Sequence, residues 1–417
     1  MKPNLFSHEP VIFKLSSGME IHLLKDDSFA TYVELSIHFG SFMDHYVKAD
    51  TSYLVTPGSA HFIEHKMFAM PEGDAFSTFS ALGISANAMT SYTTTSYTLN
   101  GTENMLEGVK KLLEMIDTPY FTDENIETEK PIIIDELNMY EDDADTKIYN
   151  EIFKQLYWYH PVREDIGGTI DSVASITKEE LLRLYEDFYQ PSNRKLIITG
   201  PIDIDAYKNM LSLYDKTHEV VSASLVSTNE PLDVLMENQV ISLDVQMEKF
   251  AVGFKFDESF SMENRYVKNE LIATFALNMM IGNTTDFYEK YLREGLLNHH
   301  FTYQIIAEDR LFCLAIIAST KSNTTLSEVL LKQLTTFDLF DITELAFRRF
   351  KKTYLGNYIM GLSDFEYKAY LYGRTLLEGI SIDEMIHLID DLTIDEVRTF
   401  ISALKEAKRS TLYVEIK

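Results

Sequence analysis

The closing segment LTIDEVRTFISALKEAKRSTLYVEI (Leu392–Ile416) repeats the order of parts in ITKEELLRLYEDFYQPSNRKLIIT (Ile176–Thr199). Each copy has a Thr-x-x-Glu helix start, an amphipathic helix, a turn bearing Arg and Lys, and an apolar strand. Identity between the copies is low, and the agreement lies in the order of elements. Such an echo predicts a chain built twice on one plan.

The segments upstream of each copy fit that plan. In the first half, Val11–Leu15, Met19–Leu24 and Thr31–His38 alternate as strands, with a turn at Ser17-Gly18. A helix is expected to begin near Pro57-Gly58 and to carry AHFIEHKMF. The segment Ala86–Gly101, rich in Thr, Tyr and Ser, reads as a polar-faced strand. Met105–Ile116 reads as an amphipathic helix, and a long acidic helix is expected from Asp123 to Tyr157 before the loop HPVREDIGG. In the second half, Phe250–Phe256, Phe301–Ala307 and Leu311–Ala318 read as strands. Asn264–Ile281, Tyr288–Leu296, Leu326–Leu334 and Thr343–Leu362 read as helices. The joint falls near Asn229–Asn238, which predicts domains at 1–229 and 230–417. Hairpins followed by helices place the chain in the α+β class, as two related domains, each a mixed, mostly antiparallel sheet covered by helices.

Composition narrows what such a chain can do. With 417 residues, 45% hydrophobic and 24% charged, it is long enough for more than one cored domain. The one cysteine, Cys313, excludes an internal disulfide and a Cys-rich metal cluster, and its apolar surroundings predict a small buried hydrophobe. A formal charge of −28 disfavours nucleic acid and anionic membranes as partners. Cationic peptides would be attracted, but solvated acidic helix faces account for the charge more simply. No apolar stretch approaches a membrane span, and the first residues lack a secretory h-region, so the expected location is the cytoplasm.

The chemistry is concentrated in His61-Phe62-Ile63-Glu64-His65. On a helix, positions i and i+4 share a face, so the two imidazoles can converge on one ion, and Glu64, three residues after His61, joins them. Two histidines and a carboxylate satisfy a catalytic zinc site, which leaves its fourth position to water. A further carboxylate beside such a site can take the proton of an attacking water. The order H-x-x-E-H is the inverted zinc motif. Among 11 histidines, this pattern arises by chance in roughly a few per cent of chains, as two surface histidines on an acidic helix. The third ligand is sought in the acidic stretch. There, the apolar run Pro131–Ile134 leads into Asp135-Glu136-Leu137, so Glu136 is the carboxylate expected to face inward. Glu129, two turns earlier on the same face, is placed to support the site.

These residues resemble the pitrilysin-type inverzincin zinc metallopeptidases, the family of insulin-degrading enzyme and mitochondrial processing peptidase. GSAHFIEHKMF is similar to the family's zinc helix, SALGISANAMTSYTTTSY to its edge-strand segment, and EKPIIIDELNMYEDD to its third-ligand helix. HPVREDIGGTIDSV and SITKEELLRLYEDFYQPSNRKLIITG follow in the same order, and the nearest likeness is to half-length bacterial members. The resemblance implies a pitrilysin/LuxS-type metallohydrolase-like fold, with Zn2+ held by His61, His65 and Glu136, one ion per chain. It implies Glu64 as general base, Glu129 as support, and Asn87 and Ala88 in a strand that binds peptide substrate by backbone pairing. It also implies a second chain that closes a clamshell chamber. In the second domain the family often carries an Arg and, seven residues on, a Tyr that assist the partner's site. Here Arg293 is present, but the Tyr position holds His300, and the nearest tyrosine is Tyr303. That departure favours a heterodimer with a related, metal-free chain over a homodimer in which His300 or Tyr303 substitutes.

Other features read as structural. His160 is expected to shape a turn beside the site, and Trp158 with Tyr157 and Tyr159 to pack in a core. There is no phosphate-cradling glycine loop and no Gly-x-Ser-x-Gly elbow. Two functions are carried forward: an endopeptidase for unstructured peptides, such as a precursor or leader, and a non-catalytic scaffold or peptide-binding subunit.

Overall fold

A computed structural model describes residues 8–71, 73–215, 223–226, 229–260 and 265–417. Alternating strand sequences assemble into one large sheet in each of two compact units. The first sheet contains β1 (Val11–Lys14), β2 (Glu20–Lys25), β3 (Thr31–Ile37), β4 (Ser85–Thr90), β5 (Thr95–Gly101) and β6 (Arg194–Gly200), in the order β1-β2-β6-β3-β5-β4. The second contains β7 (Asn238–Leu243), β8 (Glu248–Lys255), β9 (Thr302–Glu308), β10 (Leu311–Thr320) and β11 (Lys408–Ile416), in the order β7-β11-β8-β10-β9. Each sheet has one parallel pair, β2–β6 and β7–β11, and its other neighbours are antiparallel. Without β1 the two orders coincide strand for strand. The echo in the sequence is therefore an echo of hydrogen-bonded topology. β7 is not among the expected strands: it starts at Asn238, the last residue of the expected joint, and its residues alternate between exposed and half-buried.

The helices used below are α1 (Ser59–Met67), α2 (Met105–Asp117), α3 (Asp123–Asp142), α4 (Ala144–Leu156), α5 (Lys178–Phe188), α6 (Arg265–Ile281), α7 (Phe365–Leu377) and α8 (Ile394–Glu406). On β3 the period of two sends Val33, Leu35 and Ile37 into the core with Leu112, Leu113 and Ile116 of α2 and Leu181, Leu184 and Phe188 of α5. Glu34 and Ser36 take the opposite face and are also buried. The second core joins Phe250, Val252 and Phe254 of β8 to Phe275, Ala276 and Met280 of α6 and Val397, Phe400 and Ile401 of α8.

From the sequence a single boundary is expected at 229/230. The compact units are discontinuous: residues 1–139, 164–228 and 362–373 form one, and 140–163, 229–361 and 374–417 the other. Three local expectations change. Ala86–Gly101 is a hairpin rather than one strand. Its turn carries no Gly, Pro or Asn, and is closed instead by Ser91, whose N–H donates to Thr94 O at 2.7 Å. The long acidic helix breaks at Asp143, whose carboxylate accepts the Thr146 N–H and starts α4 as a new helix. Both Thr-x-x-Glu starts are caps, but only Thr393/Glu396 forms the reciprocal box. Thr177 accepts from Glu180 N, whereas the Glu180 carboxylate turns to Thr56, taking its N–H and its hydroxyl at 2.9 Å each. The expected helix at Asn264–Ile281 is seen from Arg265, and Asn264 lies outside the described residues.

Candidate metal centre

α1 begins at Gly58, whose φ of +89° is a left-handed conformation suited to glycine. Phe62, Ile63 and Met67 of the helix are buried in the core. That packing leaves His61, Glu64 and His65 on its other side. Two features missing from the sequence reading fix where the helix starts. The Glu180 carboxylate ties down Thr56, two residues ahead of Gly58. In addition, Gly167 and Gly168 press against the helix start. A β-carbon on Gly168 (φ +82°) would lie 2.5 Å from Pro57 O, and one on Gly58 would lie 2.3 Å from Gly167 O. The doubled glycine in the loop was the available signal.

α3 brings the third group. Its run Pro131–Ile134 packs inward only in part: Ile133 is buried and Ile132 is 56% exposed. Leu137 is also buried, and beside it the Glu136 carboxylate reaches the two rings. Glu136 Oε2 lies 3.4 Å from His65 Nε2 and 3.9 Å from His61 Nε2. One ligand atom from each of the three residues lies within 4.8 Å of the others, and among the described residues this is the one such group. A tetrahedral zinc with ligands at 2.0–2.1 Å has a ligand–ligand edge of about 3.3 Å, so these separations fit the ion after small rotations.

Behind His65, Nδ1 lies 3.1 Å from Glu129 Oε1, and the Lys66 ammonium donates to Glu129 Oε2 at 2.9 Å. Burial pushes the His65 imidazole down, but the Glu129 hydrogen bond and the carboxylates of Glu129, Glu64 and Glu136 outweigh it and raise its pKa. Burial would raise Glu129; its bonds from His65 and Lys66 hold it below the ordinary value instead. For His61, burial and the neighbouring His65 lower the pKa against the pull of Glu64, Glu136 and Asp165. A neutral His61 is the form that ligates a metal. Among the described residues its buried Nδ1 has no hydrogen-bond partner, at a spot where a β-carbon on Gly167 would sit 3.4 Å away.

Glu64 is held from β4: Thr90 Oγ1 donates to Glu64 Oε2 at 2.5 Å, a contact the sequence reading missed. Asn87 and Ala88 lie on the same strand, which pairs with β5 and, among the described residues, forms an edge of its sheet. Arg293, His300 and Tyr303 all belong to the second unit. Arg293 ends the helix Asp286–Arg293, its side chain 73% exposed and paired with Glu289 at 3.2 Å. His300 is exposed, its N–H given to Asn298 Oδ1. Tyr303, on β9, accepts from Asn278 Nδ2 at 2.7 Å.

Cys313 is buried, as expected. His160 Nδ1 accepts the Val162 N–H. The aromatic trio divides: Tyr157 is buried, whereas Tyr159 is exposed and Trp158 sits at the surface with Nε1 bonded to Asp233 O. The physical reason is that Glu230 binds the backbone N–H groups of residues 158 to 160, turning this stretch into a loop. Among the described residues no helix is long and apolar enough to cross a membrane.

Comparison with known proteins brings these observations together. Residues 23–170 match the family described as Insulinase (Peptidase family M16), and residues 175–354 match its companion, Peptidase M16 inactive domain. The chain is 30% identical over 406 residues to the "Uncharacterized zinc protease YmfH" of Bacillus subtilis (strain 168), covering 96% of this chain and 94% of that one. It superposes on an M16-like peptidase from Alicyclobacillus acidocaldarius with a TM-score of 0.91 at 27% identity, over 99% of each chain. A protease from Helicobacter pylori shares the fold, with a TM-score of 0.82 at 16% identity over 98% and 99% of the two chains.

Proposed function

The chain belongs to peptidase family M16 as a half-size member, and from that premise we propose that it is a zinc-dependent endopeptidase for unstructured peptides. The observation that carries this reading is the convergence of His61 Nε2, His65 Nε2 and a Glu136 oxygen. Glu64 stands on the same helix face, anchored by Thr90. A scaffold has no physical need for that full set.

A zinc ion on these three ligands supplies the Lewis acidity that makes water nucleophilic near neutral pH and polarises a carbonyl. The protein's own residues do the rest. The Glu64 carboxylate takes a proton from the attacking water and passes it to the leaving amine. Thr90 holds one Glu64 oxygen, which keeps the other directed at the reaction. β4 offers its outer backbone edge, around Asn87 and Ala88, to an extended peptide as an added strand. This docking selects unfolded substrates, because a folded protein has already paired its strands.

The chamber is completed by a second chain. Two observations support a heterodimer with a related, metal-free partner. Tyr303 is committed to Asn278, and position 300 offers an imidazole where the family pattern has a phenol. The scaffold reading draws on the non-catalytic use of this fold that the family resemblance implies and on the inactive-domain family matched by residues 175–354. Metal analysis with a Glu64→Gln variant separates the two. The peptidase reading requires about one zinc per chain, retained in the variant, with hydrolysis reduced by a factor on the order of 10³ or more. A variant as active as the parent removes Glu64 from its role, and a metal-free parent returns the scaffold. Mass spectrometry of the native complex identifies the partner and any bound peptide.

A further inference from the structure

Lys66 follows the second histidine directly, and its side chain is only 4% exposed. An ammonium buried this deeply is costly unless an anion meets it. Glu129 meets it, and Glu129 is a two-sided acceptor: Oε2 takes the Lys66 ammonium at 2.9 Å while Oε1 faces His65 Nδ1 at 3.1 Å. A carboxylate has no proton to donate, so that second contact requires the hydrogen on His65 Nδ1. In the neutral ring, the form that ligates a metal, the lone pair is then left on Nε2, the atom 3.4 Å from Glu136. His61 has no such arrangement, since its buried Nδ1 has no hydrogen-bond partner among the described residues. Of the two imidazoles, one is fixed in rotation and tautomer from behind, and the fixing chain ends at Lys66.

We propose that Lys66 is a positioning residue of the metal centre: by pinning one oxygen of Glu129 it aims the other at His65 and makes His65 the preorganised ligand. The inference rests on the zinc reading of His61, His65 and Glu136. Lys66 itself stays off the metal, because its ammonium is occupied by Glu129. In its absence the Glu129 carboxylate is free to rotate and the tautomer of His65 is no longer dictated, so metal affinity falls although every ligand is present.

The test is a double-mutant cycle on the full chain, read as the zinc dissociation constant by competition with a chromophoric chelator. Lys66→Met is expected to weaken zinc binding by about 10- to 100-fold, the range typical of residues that orient ligands from behind. Lys66→Arg, which can still bind Glu129, should return affinity to within a few-fold of the parent. On a Glu129→Gln background, Lys66→Met should add no further loss, because the chain it belongs to is already cut. Parent-like zinc affinity in Lys66→Met overturns the proposal, and so does an equal loss on both backgrounds. Should Lys66→Met alone fail to fold, Lys66→Gln, a neutral side chain too short to hold Glu129 in the same way, takes its place in the cycle and is held to the same outcomes. A parent that binds no zinc is a different failure, which removes the metal reading itself.

Discussion

Thr90 is a buried hydroxyl whose hydrogen bond to Glu64 links the edge strand to the proposed base. Hydrogen bonds to charged groups contribute about 1.5–3 kcal/mol, so Thr90→Val should lower kcat by about tenfold or more. KM and zinc content should stay near parental values, and Thr90→Ser should restore most of the rate. A Val variant with unchanged kcat would remove Thr90 from the mechanism. Glu34 poses a different question, of stability. Burial pushes its carboxyl above the ordinary value, against hydrogen bonds from Ser36, Ser96 and Tyr32 that pull it down. Since the folded chain holds this proton more tightly than the unfolded chain, the parent loses stability as pH rises from about 4.5 through the folded value. Glu34→Gln keeps an acceptor for both serines and removes the titration. Its melting temperature should exceed the parent's at about pH 8, with the gap closing toward about pH 4; a gap of constant size would show that ionisation is not the cause.

At the scale of elements, the metal centre depends on the first turn of α1 more than the histidine motif alone suggests. Gly58 and Gly168 let two backbones meet at distances no β-carbon permits. Gly168→Ala adds left-handed strain to a collision with Pro57 O, at a cost on the order of 2 kcal/mol. The denaturation midpoint should fall accordingly, and zinc affinity should fall with it because His61 lies on the displaced turn. Loss of stability with unchanged zinc binding would show that the loop supports the fold but not the site. The misread elements follow a similar logic. The hairpin Ser85–Gly101 uses hydroxyl hydrogen bonds in place of the usual turn residues, and the helix break at Asp143 rests on a capping bond that uninterrupted acidic composition conceals.

For the whole molecule, the matching strand orders of the two sheets mean that one architecture is used twice, with the candidate ligands His61, His65 and Glu136 on the first copy. The second copy carries Arg293, His300 and Tyr303, and their exposure and bonding bear on assembly. If the active species were a homodimer, mixing Glu64→Gln with Arg293→Ala chains would regenerate one intact site from two defective ones. The heterodimer reading predicts no recovery on mixing. Return of a substantial fraction of parental activity would establish the homodimer instead.

Local regularities made much of this protein legible before any coordinates. Helical spacing alone puts His61, Glu64 and His65 on one face, period-two alternation marks most strands, and Thr-x-x-Glu starts reveal the duplicated plan. These properties depend on neighbours within a few residues. What only the tertiary structure decided depends on groups distant along the chain: the approach of Glu136 to both rings, the turning of Glu180 to Thr56, the grip of Thr90 on Glu64, and the Lys66–Glu129 pair behind His65. No periodicity encodes such meetings, because each is set by how two packed surfaces come into register, and a carboxylate finds its partner only once that packing is complete.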